Sequence, residues 1–219
     1  MRPLYVDNHV LALDKPCGLL TQPSGQTADS LERQGKELLR QMFAKPGNVF
    51  LEAVHRLDRP ACGVVLFART SKALSRLNAA MRGHGCVKRY RAILAATPRD
   101  HDGELTDWLV HDDFRARAAS PGEPGARECR LAYRVLRTLP GGRALVDIGL
   151  ETGRYHQIRA QFALRGCPLL GDTRYGGPPA GPPGAIALQH HSLTTPHPTR
   201  PEPLTITSDI DLTHLFPLN

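Results

Sequence analysis

Apolar and polar positions alternate along this chain in runs mostly of strand length, broken by charge, proline and glycine. The opening "LYVDNHVLALDKP" predicts two short strands joined at Asp7-Asn8-His9, because Asp and Asn supply turn geometry and "VLAL" is apolar enough to be buried. "CGLLTQPSGQTA" reads as loop. A helix is expected from Asp29, capped by Asp29 or Ser30, with Leu31, Leu38, Met42 and Phe43 at roughly helical spacing and "KPGN" ending it. "GVVLFA", residues 63–68, is a continuous apolar run and predicts a strand covered on both faces. "TSKALSRLNAAMRGHG" starts on capping hydroxyls, repeats Leu74, Leu77 and Met81 on one face and stops at glycine, so it predicts a second helix.

Beyond it, "KRYRAILAA" returns to strand, while "FRARAASPGEPGAR", residues 114–127, predicts an exposed, mobile loop. "RLAYRVL" and "RALVDIGLE" are strands around Pro140-Gly141-Gly142. "RYHQIRAQFALRG" suggests a third helix with Tyr155, Ile158, Phe162 and Arg165 along one side, and "PPAGPPGA" is a loop before the strand "IALQHHSL". The whole reads as α+β with strands predominating. No internal repeat or linker stands out, so the expectation is one domain over residues 1–219.

Charge changes the picture. Lys and Arg number 28 against 21 acidic residues, a net +7 with a pI near 9.5, which favours a polyanionic partner such as nucleic acid. Residues 114–127 then read either as a solubilising loop or as one that touches RNA. The five cysteines are odd in number and form no C-x-x-C pair, which suggests neither a disulfide framework nor a zinc site and fits a reducing cytoplasm. No apolar window approaches the roughly 18 residues of a membrane span, and no signal peptide is expected. The histidines form no H-E-x-x-H, and G-x-G-x-x-G, P-loop and G-x-S-x-G patterns are absent, so metal, nucleotide-cofactor and serine-hydrolase chemistry have no support in the sequence.

What remains is "AVHRLDRPACGVVLFA", residues 53–68, where Asp58 stands between Arg56 and Arg59. A solvated charge cluster is one reading. If 54–58 is extended, however, Val54, Arg56 and Asp58 point one way and His55 and Leu57 the other, so Arg56 and Asp58 share a cleft. A carboxylate there needs a cation nearby to stay ionised once water is excluded, and it then serves as nucleophile or general base. In "KRYRAIL", Tyr90 among Lys88, Arg89 and Arg91 offers a face to stack a base and cations to hold phosphates, or is simply a core tyrosine.

Four segments in order carry a resemblance: "VLALDKPCGLLTQP", "VHRLDRPACGVVLFARTSKA", "KRYRAIL" and "GLETGRYHQIRAQFALRGCPLLGDTRYGG". Together, from about residue 4 to residue 207, they resemble the RluA-type family of RNA pseudouridine synthases. The resemblance implies a pseudouridine synthase fold: a long, mixed, mostly antiparallel sheet flanked by helices, with a central RNA-binding cleft. It implies that a uridine of RNA is flipped into the cleft, its glycosidic bond broken, the uracil turned, and C5 bonded to C1′, with no cofactor or metal. By match to the motifs, Asp58 is the catalytic aspartate, Tyr90 stacks on the target base and Arg159 partners the aspartate. Ile158 walls the pocket, Arg56 enters the space left by the flipped base, and Arg154, His55, Lys88 and Arg89 are candidate RNA-binding groups.

The chain departs from the family at Ala61-Cys62, where threonine and serine are usual before the glycine. That departure keeps open a catalytically silent RNA-binding protein on the same fold; a hydrolase or lyase using Asp58 and His55 on a smaller substrate is the other alternative. The module resembling the ribosomal S4 domain that many relatives carry is not expected, so target choice falls to the loops 18–28, 99–127 and 174–184. The expected partner is a structured stem-loop of transfer or ribosomal RNA. A monomer without an obligate protein partner is expected.

Overall fold

The computed structural model describes residues 2–25, 27–44 and 47–217. In chain order its first elements are β1 (Tyr5–Val6), β2 (Val10–Lys15), α1 (Leu31–Phe43), β3 (Glu52–Ala53), β4 (Cys62–Ala68) and α2 (Ser71–Arg82). There follow β5 (Val87–Leu94), β6 (Asp102–Asp112), β7 (Arg115–Ala118), β8 (Arg127–Leu139) and β9 (Arg143–Leu150). The last are α3 (Gln157–Ala163), β10 (Leu188–Pro196), β11 (Pro203–Thr207) and the short α4 (Leu212–Leu215). The fold is α+β. It divides into two units, Met1–Val87 with His190–Ile210 and Lys88–Gln189 with Asp211–Asn219.

In the first unit the strand order is β1-β2-β4-β10, with β3 on β4 and β11 on β10. The β1–β2, β2–β4, β3–β4 and β10–β11 ladders are antiparallel. The continuous apolar run of β4 is buried at every residue, and its period of two explains why. Val65 and Phe67 face Leu31 and Leu39 of α1, whereas Val64, Leu66 and Ala68 face Ala73 and Leu77 of α2. Both helices begin where capping predicts: Ser30 accepts from the Arg33 amide and Thr70 from that of Ala73. The apolar stripe expected on α1 is corrected at its end, since Met42 and Phe43 are 45% and 43% exposed and Gly35 and Leu39 carry the buried face instead. Of the "KPGN" stop, Lys45 and Pro46 lie outside the described residues. Gly63 must be glycine, because at φ +108° a Cβ would sit 2.4 Å from the His190 carbonyl oxygen of β10.

The second unit is an antiparallel series, β5-β9-β8-β6-β7. The loop expected over 99–127 is corrected here. Residues 102–112 and 115–118 form a hairpin, Asp112 opposite Arg115, whose two-residue turn is Asp113-Phe114 with Asp113 at φ +49°. Outside the hairpin, 99–101 and 119–126 stay irregular. Leu109 of β6, Ala116 of β7 and Cys129 of β8 bury against Ala160 and Tyr175, so α3 covers this end of the sheet. That helix is shorter than its pattern: His156 takes a left-handed backbone, φ +51°, and the Arg154 amide donates to the Gln157 side chain, so Tyr155 lies before the first turn and is exposed.

Candidate active site

Asp58 lies between β3 and β4 on irregular backbone rather than on an extended segment. Val54 is buried, Arg56 exposed and Asp58 half-buried, and the chain bends at 54–55, so 54–58 is not one continuous strand. A turn follows it. The Ala61 amide donates to the Asp58 carbonyl at 3.1 Å, and Pro60, which has no N–H to give a ladder, lies inside it. Bonds on both sides then fix the aspartate. The Leu57 amide donates to the Thr21 hydroxyl at 3.2 Å, and that hydroxyl donates to the Leu57 carbonyl at 3.2 Å. On the other side the Gly18 amide donates to the Arg59 carbonyl at 2.8 Å, and Arg59 Nε donates back to the Gly18 carbonyl at 2.9 Å.

Lys15, fully buried at the end of β2, completes this clamp. Its Nζ donates to the carbonyls of Pro16, Leu19 and Arg59 at 3.0, 2.8 and 3.1 Å. Burial pushes its pKa down to about 8, against the opposing pull of the Cys17 and Cys62 thiols and Asp58. The sequence alone assigns Lys15 no role; its one signal is a lysine closing an apolar strand. Cys62 is buried, and its thiol shares a hydrogen bond with that of Cys17, which raises the pKa of Cys62 and lowers that of Cys17. His55 accepts the Leu66 amide at Nε2, 3.2 Å, and packs edge-on against His190 with ring centroids 5.1 Å apart. That bond gives His55 a structural role in holding β4.

In the second unit Tyr90 sits on β5 opposite Ile148 of β9 and is 8% exposed. Lys88 shares its face, because residues two apart on a strand point the same way. Arg89 points to the other face and forms an ion pair with Asp147. Lys88 Nζ approaches the backbone at Gly153, 3.6 Å from where a Cβ there would stand, one residue before the exposed Arg154. Arg154 donates from Nε to the Glu128 carbonyl at 3.5 Å.

Ile158 and Arg159 lie in the first turn of α3, 5% and 4% exposed. Arg159 is gripped from below by Asp172, itself buried: Nε to Oδ2 is 2.7 Å and Nη2 to Oδ1 is 2.9 Å. Its guanidinium also stacks over the Tyr175 ring, 5.0 Å from the centroid. Asp172 and Tyr175 belong to "GDTRYGG", where the sequence alone assigns them no role. Gly171 makes their loop possible, since at φ +79° a Cβ would meet the Ala185 carbonyl oxygen at 2.3 Å. Tyr175 in turn binds the hairpin, its hydroxyl accepting the Ala116 amide at 2.6 Å and meeting His156 Nδ1 at 3.0 Å. Among the described residues no group of three or more His, Cys, Asp or Glu side chains is arranged to hold a metal ion, and no helix is long and apolar enough to cross a membrane.

A family model described as RNA pseudouridylate synthase matches residues 9–164. Ribosomal large subunit pseudouridine synthase C of Rickettsia prowazekii is 29% identical over 174 residues, which cover 79% of this chain and 55% of that protein. The chain therefore spans little more than half the length of that relative. The dual-specificity RNA pseudouridine synthase RluA of Haemophilus influenzae is 32% identical over 212 residues, covering 95% of this chain and 92% of its own. Among solved structures, human RNA pseudouridylate synthase domain containing 4 superposes with a TM-score of 0.79 at 22% identity, covering 97% of this chain and 91% of that one, a likeness of fold.

Proposed function

Since the chain belongs to the RNA pseudouridylate synthase family, we propose that it isomerises uridine to pseudouridine in structured RNA, transfer or ribosomal, with Asp58 as the catalytic aspartate. The observation that carries this reading is the clamp on Asp58: a half-buried carboxylate whose backbone is tied on both sides to residues 18–21 and backed by a buried ammonium. A group fixed in that way loses little entropy on reaching the reacting carbon. Breaking the glycosidic bond leaves positive character on the ribose and negative charge on the uracil. Asp58 meets the first, either by attacking C1′ to form an ester that C5 of the turned uracil displaces, or by taking the proton from C2′ and returning it as C5 closes on C1′. C5 then loses its proton and N1, freed from the sugar, takes one up, so the product is an isomer.

Tyr90 stacks on the flipped base and Ile158 walls its pocket. Arg159, pre-oriented by Asp172, partners Asp58 in the catalytic complex, and the exposed Arg56 fills the gap left in the RNA stack. Lys88, Arg89 and Arg154 add contacts to phosphates. The names of the two bacterial relatives, one for the large ribosomal subunit and one for dual specificity, support a structured RNA as substrate. The whole chain acts as one catalytic domain, a monomer in the cytoplasm needing neither cofactor nor obligate protein partner.

The test is incubation of the protein, and of Asp58→Asn, with unmodified transfer and ribosomal RNA transcripts, followed by mapping of pseudouridine through chemical adducts and primer stops. Product from the native protein alone is the expected result. RNA binding without product from either protein overturns the proposal in favour of a silent RNA-binding protein with its departure at Ala61-Cys62.

A further inference from the structure

The turn of the β6–β7 hairpin presents a large apolar ring to solvent. Phe114 is 76% exposed, the most exposed of the large hydrophobic side chains among the described residues. A flexible loop would hide or average such a ring, but here its backbone is held: the Phe114 carbonyl accepts from the Tyr155 hydroxyl at 3.4 Å and from Arg174 Nη1. Tyr155, 42% exposed, continues the aromatic surface. Its ring stacks on His156 at 3.9 Å and 19°, and the exposed His111 ring lies 4.2 Å from it. The surface is anchored inward through Tyr175, which bonds both His156 and the Ala116 amide of β7 and carries the guanidinium of Arg159 on its ring.

Cations accompany these rings. Arg115 lies over the Tyr175 ring at 5.5 Å, and Arg174 and Arg154 are exposed at the same end of the unit. Of the two acids at the turn, Asp112 is engaged by Arg117 at 3.4 Å. Exposed aromatic faces interleaved with arginines match the two faces of a single-stranded nucleotide, stacking for the base and charge for the phosphate.

We propose that Phe114 and Tyr155 form a stacking subsite for an unpaired base of the RNA flanking the uridine to be modified, with Arg115 and Arg174 on the adjoining phosphates. The proposal rests on the RNA-modifying reading above. It makes the hairpin a specificity element, since only RNAs with an unpaired nucleotide at the right distance from the target engage it. Phe114 and Tyr155 are positioning residues in this scheme, acting on the RNA and not on the reacting atoms.

The experiment compares the native protein with Phe114→Ala and Phe114→Trp, using fluorescently labelled, unmodified transfer RNA and ribosomal stem-loop transcripts. Affinity is read by anisotropy, pseudouridine formation by steady-state and single-turnover kinetics, and fold by thermal unfolding. Phe114→Ala is expected to raise Kd and KM about tenfold, in the range of one lost base stack, to leave the single-turnover rate at saturating RNA unchanged, and to unfold at the native temperature. Phe114→Trp is expected to restore affinity. Native Kd and KM in Phe114→Ala overturn the subsite and leave the activity standing. Weakened binding in Phe114→Ala, with no product even from the native protein, supports the subsite and overturns the isomerase reading. Native protein that binds neither RNA overturns the subsite outright.

Discussion

Asp58 and Arg159 are both fixed in place, and the bonds around them differ in kind. Around Asp58 the holding bonds run through the main chain on either side, Leu57 to Thr21 and Arg59 to Gly18, with Lys15 capping the Arg59 carbonyl. Around Arg159 the bonds run through the functional side chain itself, into the buried carboxylate of Asp172. In the first region the main chain on either side carries a large share of the hold. In the second the functional side chain is itself part of the scaffold, so that removing Asp172 takes a buried counterion from Arg159.

Asp58→Asn breaks that comparison most visibly. It keeps the shape and the flanking main-chain bonds, so pseudouridine formation should fall by about 10⁴-fold or more, the scale of losing a nucleophile or general base, while urea unfolding moves by less than it does for Asp172→Asn. A large loss of stability would mean that the carboxylate, not the backbone, holds this loop. Asp172→Asn should behave in the opposite sense. It leaves the Arg159 guanidinium buried opposite a neutral amide, and urea unfolding should show a loss of about 3–5 kcal/mol. A change within the range of surface substitutions would put Arg159 on another support.

The same contrast explains what the sequence revealed. Elements held by their own pattern were legible: β4 as an uninterrupted apolar run, α1 and α2 from caps and spacing, the β8–β9 pair around Pro140-Gly141-Gly142. Asp58 was legible because a motif surrounds it. The β6–β7 hairpin was not, because its turn has no glycine at Asp113-Phe114, its strands carry charge on the exposed face, and the proline-glycine run just beyond dominates the local signal. Lys15, Asp172 and Tyr175 share a different reason. Each owes its role to a partner distant in sequence, Arg59 for Lys15, Arg159 for Asp172 and Ala116 for Tyr175, and one chain read in order does not say which distant residues meet.

Lys15 sharpens the comparison, as a buried charge bound to carbonyls rather than to a counterion. Its folded pKa, about 8, is below the ordinary lysine value, so between that pH and about 10.5 the unfolded chain holds more protons than the folded one. Stability must therefore rise with pH across this window as far as Lys15 is concerned, and the penalty of burying the ammonium is fully present below it. The raised thiol pKa values of Cys62 and Cys129 act in the other direction, so the lysine is isolated by difference. Urea unfolding at pH 7.5 and pH 10 should show the native protein gaining about 2 kcal/mol relative to Lys15→Met over that interval. Equal pH dependence in the two proteins would place the proton elsewhere.

The smallest effect tests the finest part of the clamp. Thr21→Val keeps the volume of a buried side chain and removes a hydroxyl that both accepts from the Leu57 amide and donates to its carbonyl. Because Leu57 is only half-buried, water takes up part of what is lost, and stability should fall by about 1 kcal/mol. The informative readout is kinetic. If the hydroxyl sets the position of Asp58, the single-turnover rate of pseudouridine formation drops several-fold while Kd for RNA stays native, and Thr21→Ser restores the rate because it returns the same oxygen. If Thr21 only stabilises the loop, valine and serine differ in urea and agree in rate, and the hold on Asp58 then owes more to the side of Gly18, Arg59 and Lys15.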